Sequence, residues 1–174
     1  MKKISTLAAI ALTFATASSL ASTETITIYS IDEKGNGQPL GTLSVQDSYE
    51  GLKLVADLKG LKPGAHGIHI HENASCDPKE KDGQMVAGLA AGGHYDPELA
   101  GKHEGPKGHG HKGDLPPLIV SAAGTSKEQA SAPRLTVADL KGRSIVIHEA
   151  GDNFSDAPKT LGGGGARIAC GVVK

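Results

Sequence analysis

Tryptophan is absent from this 174-residue chain, and aromatic residues make up only 3% of it. Beyond residue 21 the Phe and Tyr residues are Tyr29, Tyr49, Tyr95 and Phe154. A core must therefore be built from Val, Ile, Leu and Ala. No basic stripe is present, which removes the electrostatic footprint of a nucleic-acid binder. Charged residues are 21% and hydrophobic ones 38%, a balance that excludes both a disordered tail and a membrane bundle. Cysteine is scarce: Cys76 and Cys170 lie far apart with no C-x-x-C spacing, a poor pattern for metal ligation by sulfur. Glycine is the opposite case, at 24 residues, roughly twice its ~7% average usage. Each mid-helix Gly costs about 1 kcal/mol against Ala, so a mainly helical protein is excluded as well.

The first 21 residues read as a secretory signal peptide rather than part of the fold. Lys2 and Lys3 precede an apolar run over Ile4–Leu20, and Ser19-Leu20-Ala21 places small residues at the cleavage positions. The run is short for a membrane span and a polar stretch follows at once. Cleavage after Ala21 leaves one domain, residues 22–174. Losing Lys2 and Lys3 leaves 16 basic residues against 19 acidic ones, a formal charge of −3. Export implies an oxidising compartment. Cys76 and Cys170 there form one disulfide or, alternatively, remain two buried thiols.

The hydrophobic signals of the mature chain have period two. Thr25–Tyr29 alternates, as do Leu52, Leu54, Ala56 and Leu58 within Gly51–Leu58. Further short strands are predicted over Gly41–Val45, Gly67–His71, Leu118–Ala122, Leu135–Leu140, Ser144–His148 and Ala166–Val173. Many short strands separated by Gly, Pro, Asn and Asp read as an antiparallel sandwich or barrel. Two stretches resist the pattern, Glu72–Pro117 and Glu149–Gly165. Long irregular segments in a compact domain usually carry function.

Eight histidines are present. In His69-Ile70-His71, residues i and i+2 of a strand project from one face, so two imidazoles can meet one metal while Ile70 points the other way. Ser144–His148 ends in a further His. The long loop adds His94, His103 and His111, with Asp114 three residues after the last. Three His and one Asp suit tetrahedral zinc; a sulfur-free imidazole set suits Cu(II) as well.

Four segments carry a resemblance: Gly67-Ile68-His69-Ile70-His71-Glu72, Gly92-Gly93-His94-Tyr95-Asp96-Pro97, His111-Lys112-Gly113-Asp114-Leu115-Pro116, and Gly165-Ala166-Arg167-Ile168-Ala169-Cys170-Gly171. In this order, across nearly the whole mature chain, they are similar to the bacterial periplasmic copper/zinc superoxide dismutases. The resemblance implies an all-β, eight-stranded Greek-key β-barrel of immunoglobulin-like sandwich type, an architecture of which this family is itself an example, with long metal-binding and electrostatic loops. It implies one copper at His69, His71, His94 and His148, and one zinc at His94, His103, His111 and Asp114. It further implies Arg167 beside the copper, Asp152 linking ligands of both metals, and a Cys76–Cys170 disulfide. With a metal on each ring nitrogen His94 is an imidazolate, which two adjacent cations make accessible. The substrate implied is superoxide, the compartment the periplasm; a monomer and a homodimer remain equally open.

Two histidines fall outside these sets. His66 has the opposite strand parity to His69 and is expected to pin a loop through backbone hydrogen bonds. His109 is expected on an exposed loop, with competition for zinc or an extra ion as the alternative. Leu161-Gly162-Gly163-Gly164-Gly165 lacks the lysine and helix of a phosphate loop, so close backbone approach to the site is expected instead. The rival to an enzyme is a non-catalytic copper/zinc carrier or copper-chaperone-like domain, which needs neither a shared His94 nor a cation at Arg167.

Overall fold

A computed structural model describes residues 23–174; the leader lies outside the described residues. Among the described residues there are twelve strands: β1 (Thr23–Asp32), β2 (Gly35–Ser48), β3 (Gly51–Lys59), β4 (Gly64–His66), β5 (Ile68–His71), β6 (Lys79–Lys81), β7 (Gln84–Val86), β8 (Leu118–Val120), β9 (Thr125–Ser126), β10 (Gln129–Ala132), β11 (Arg143–His148) and β12 (Arg167–Val173). Eight of them form one curled antiparallel sheet in the order β10-β3-β2-β1-β12-β11-β5, with β9 pairing to β3. β4 and β8 make a separate ladder. The first and last strands are neighbours, Tyr29 opposite Cys170, and the architecture is the Greek-key barrel expected.

The alternation predicted from sequence places the core. On β3 Leu52, Leu54, Ala56 and Leu58 are buried, and on β1 Ile26 and Ile28. They join Ile70, Ile145, Ile147 and Leu115 in the main cluster. Among the described residues no Phe or Tyr side chain is fully buried, and the interior is filled by branched aliphatics, which suit a half-buried pleated surface.

Two predicted segments differ. Leu135–Leu140 is not a strand but holds a short helix, α1 (Val137–Leu140). The reason is local: Thr136 and Asp139 form a reciprocal capping box, which satisfies the first free amides of a helix. Leu135 and Val137 are both buried, so a period of two was present without the strand. The Glu72–Pro117 stretch is also not wholly irregular. Its β6–β7 hairpin turns at Asp82-Gly83, both at positive φ, the usual Asp-Gly signature of a two-residue hairpin loop.

Candidate metal centre

β5 places His69 and His71 on one face and Ile70 on the other. All three are fully buried, Ile70 within the main core. β11 pairs with β5, bringing Val146 opposite His69, and ends at His148. There the β11–β12 register shifts between Ile147 and His148, and His148 faces Arg167. Such a bulge re-aims a side chain at a strand end.

The long loop adds its histidines by lying alongside β5. Tyr95 N–H donates to the Ile70 carbonyl at 2.8 Å, Ile70 N–H to the Gly113 carbonyl at 2.9 Å, and Gly113 N–H to the Tyr95 carbonyl at 2.8 Å. His71 is thereby bridged to His94, and His69 to Asp114. Gly113 is needed here, because a Cβ would overlap the Ile70 carbonyl oxygen. Arg143 clamps the outside of this arrangement, its guanidinium 3.8 Å from the centre of the Tyr95 ring.

Two overlapping clusters result. Ligand atoms of His69, His71, His94 and His148 lie within 4.8 Å of one another, as do those of His69, His94, His103 and Asp114. His69 and His94 belong to both. His94 Nδ1 lies 3.2 Å from Asp114 Oδ1, His103 Nδ1 3.1 Å from Oδ2 and His111 Nδ1 3.5 Å from Oδ1. Three Nδ1 atoms thus converge on one carboxylate. His111 stands just outside the tighter group, in which His69 appears instead.

Four of the other ring nitrogens are held by the protein. His69 Nε2 bonds Asp152 Oδ2 at 2.7 Å, and His103 Nε2 bonds Asp152 Oδ1 at 2.8 Å. His71 Nδ1 donates to the Gly92 carbonyl at 3.0 Å, and His148 Nδ1 to the Gly165 carbonyl at 3.2 Å. Five inward nitrogens are left buried without a hydrogen-bond partner: His69 Nδ1, His71 Nε2, His103 Nδ1, His111 Nδ1 and His148 Nε2. Buried polar atoms are normally paired. Orphans converging on two points, four of the five on rings oriented from behind, fit a pair of metal ions.

Electrostatics fit the same reading. Burial, reinforced by the neighbouring His94 and Arg167, holds His71 well below the usual histidine range. Burial brings His94 down to about 4 and His148 to about 3. Neutral imidazoles with free lone pairs are the form that binds metal. His103 differs: burial opposes its charge, but Asp114 and Asp152 raise it to about 9. Burial opposes ionisation of both carboxyls as well, yet the histidines bonded to them hold each well below the usual range.

Arg167 is half-buried and fixed at both ends of its fork, Nη1 donating to the Gly88 carbonyl at 2.6 Å and Nη2 to the Gly92 carbonyl at 2.7 Å. The Gly92 carbonyl therefore anchors Arg167 and His71 together. Beside His148 an open cavity of about 470 Å³ is lined by Lys159, Thr160, Leu161, Gly163 and Gly165. The glycine tract closes on the site as expected: a Cβ at Gly162 would overlap Asp152 Oδ1. Cys76 and Cys170 are disulfide-bonded.

Of the two remaining histidines, His66 is buried, with Nδ1 2.7 Å from the His148 carbonyl and Nε2 2.8 Å from that of Lys62. It pins loop to strand. His109 is exposed, and its backbone N–H donates to Glu104. Contacts that sequence reasoning missed are the Gly92 carbonyl and Asp156, whose carboxylate accepts from the amides of His103 and Leu161. Both act through main-chain atoms, which leave no mark on residue identity.

Residues 40–173 match the family model for copper/zinc superoxide dismutase. The chain is 50% identical to superoxide dismutase [Cu-Zn] 2 of Salmonella typhimurium, over the full length of both. Among solved structures, the Cu/Zn superoxide dismutase of Brucella abortus superposes with a TM-score of 0.86 at 47% identity, covering 88% of this chain and all of that one. The monomeric copper, zinc superoxide dismutase of Salmonella enterica, a solution structure, superposes at 0.80 and 51% identity, with the same coverage of each. An all-β barrel, two overlapping imidazole-rich clusters, and relatives matched end to end agree: this chain belongs to the copper/zinc superoxide dismutase family.

Proposed function

We propose that this chain dismutes superoxide to oxygen and hydrogen peroxide, with copper at His69, His71, His94 and His148 and zinc at His94, His103, His111 and Asp114. The observation that carries the reading is the ring of His94, which lies in both clusters and whose Nδ1 meets Asp114 together with those of His103 and His111. When bound, copper supplies the one-electron redox change that zinc, with its filled d shell, cannot.

The chain's own residues orient, steer and move protons. Asp152 holds the outer nitrogens of His69 and His103, so one carboxylate orients a ring in each set. The Gly92 and Gly165 carbonyls fix His71 and His148 in the same way. His94 Nδ1 is anchored toward Asp114, which leaves Nε2 free to accept a proton and return it as product forms. Arg167 offers a permanent charge and a donor fork to a small anion. Lys159 extends the same field along the cavity wall. A metal carrier needs neither the shared ring nor this cation.

The mature charge of −3 repels superoxide overall, so attraction has to be local. Superoxide dismutases are themselves a standing example of such steering. Arg167→Ala is expected to lower kcat/KM severalfold or more with copper and zinc contents unchanged. Its rate should also depend less on salt than the wild type's, since screening acts over about 10 Å at 0.1 M. Unchanged activity in the fully metallated variant removes Arg167 from the mechanism. For the metal assignment, His103→Ala should lose zinc and keep most of its copper. Full zinc retention would move that ligand to His109.

The disulfide and the leader favour the periplasm as the compartment. Among the described residues, no helix is long and apolar enough to cross a membrane.

A further inference from the structure

The zinc-side loop is also gripped by residues that belong to neither cluster. Arg134, between β10 and α1, is half-buried. Its Nη2 donates to the Gly110 carbonyl at 2.9 Å and to the His111 carbonyl. On the other side of His111, Lys112 Nζ donates to Asp139 Oδ1 at 2.6 Å, both side chains being largely buried. Asp139 is held in turn, its Oδ2 accepting from the Thr136 amide and hydroxyl at 2.9 Å each. One short segment, residues 134–139, thus ties down both neighbours of His111. The His111 amide is fixed as well, donating to the Lys102 carbonyl at 2.8 Å.

We infer that Arg134, supported by the Lys112–Asp139 pair, is a positioning residue that presets His111 for the second metal. The inference rests on the zinc reading above. His111 is the ligand that most needs such help: its Nδ1 is 3.5 Å from Asp114, the widest of the three, and its ring lacks the carboxylate partner that Asp152 gives His103. Orientation that other ligands receive through the ring, His111 receives through its backbone. A guanidinium suits the task because its planar fork is pre-organised and stays charged, and charge-assisted bonds to carbonyls are stronger than neutral ones. Removing it leaves the Gly110 carbonyl without its donor and the His111 carbonyl with only the Asp114 amide at 3.4 Å, and frees the loop to turn about His111.

The test uses the metal-free mature chain titrated with zinc ion alone, in competition with a chromophoric chelator, alongside a copper titration and the metal-free unfolding midpoint. Losing a partner that orients a ligand typically costs 10–100-fold in metal affinity. Arg134→Gln is therefore expected to weaken zinc binding by about that factor and to speed zinc release, with copper affinity unchanged. Arg134→Lys, which keeps one charged donor, should recover part of the loss. Asp139→Asn should weaken zinc in the same direction by a smaller factor, and carries the test if Arg134→Gln does not fold. His111→Ala is the reference. If it abolishes tight zinc binding while Arg134→Gln and Asp139→Asn bind as the wild type does, the clamp is refuted and the zinc set stands. A fall of zinc affinity, copper affinity and unfolding midpoint together would also refute it, as general destabilisation. Wild-type zinc affinity in His111→Ala would overturn the zinc assignment, and the clamp with it.

Discussion

Replacing His94 by alanine should empty both metal positions and lower dismutation by more than about 100-fold, beyond the 10–100-fold typical of losing a partner that merely orients a ligand. The expectation follows from the place of His94 in both clusters and in both proposed ligand sets. Removing it takes one of four ligands from each set, and it also removes the Nδ1 bonded to Asp114. Of its histidine neighbours that carboxylate then keeps His103 and His111, beside the Gly105 amide at 3.1 Å. Metal content by mass spectrometry and steady-state dismutation, measured on one preparation, check the result. The control is His109→Ala, whose exposed ring should leave both metals and the copper spectrum unchanged. An effect of His109→Ala as large as that of His94→Ala would overturn the division of the histidines. So would a His94→Ala protein holding both metals.

Removing the Cys76–Cys170 bond should cost about 4–5 kcal/mol in the metal-free protein, the chain-entropy figure for a loop near 100 residues. For a chain of this size that corresponds to a fall of roughly 10–20 °C in Tm. The consequence is not confined to stability. Cys76 and Cys170 pack with Ile31, Ala91 and Val146 in a cluster separate from the main core. Ala91 directly precedes Gly92, whose carbonyl anchors both His71 and Arg167. The Cys76→Ser/Cys170→Ser double variant should therefore bind copper more weakly, with zinc less affected. Denaturant unfolding of the metal-free proteins and copper competition measure the two effects separately. A loss below about 1 kcal/mol, well under the 2–5 typical of native disulfides in small secreted domains, would show that the bond does not restrain the unfolded chain. Weaker zinc with unaltered copper would show that it does not support the Gly92 anchor.

The chain's side-chain pattern carried the strands whose faces are fixed by burial. Leu52, Leu54, Ala56 and Leu58 alternate because one face of β3 meets the core, and His69 and His71 share a face because Ile70 takes the other. A period of two is local information, and it survives in the residue order. The capping box of Thr136 and Asp139 was also local, but two buried residues two apart, Leu135 and Val137, imitated a strand and masked it. The Asp82-Gly83 turn is likewise legible locally, although it lies inside a long stretch without strand alternation.

Motif resemblance extended this reading to the ligands, since His94, His103, His111 and Asp114 have no shared period that could group them. What tertiary structure alone decided is how those residues are held. The Gly92 carbonyl under His71 and Arg167, the Asp156 carboxylate on the amides of His103 and Leu161, and the Arg134 grip on Gly110 and His111 all involve main-chain atoms. Every residue has a carbonyl and nearly every one an amide, so residue identity cannot say which of them a distant side chain will find. That pairing is set only when the loops are laid against β5 and α1, because a few ångströms of displacement makes or breaks each bond. From its own order the chain determines a barrel with histidines on one side of it. Packing determines which of their nitrogens face inward together.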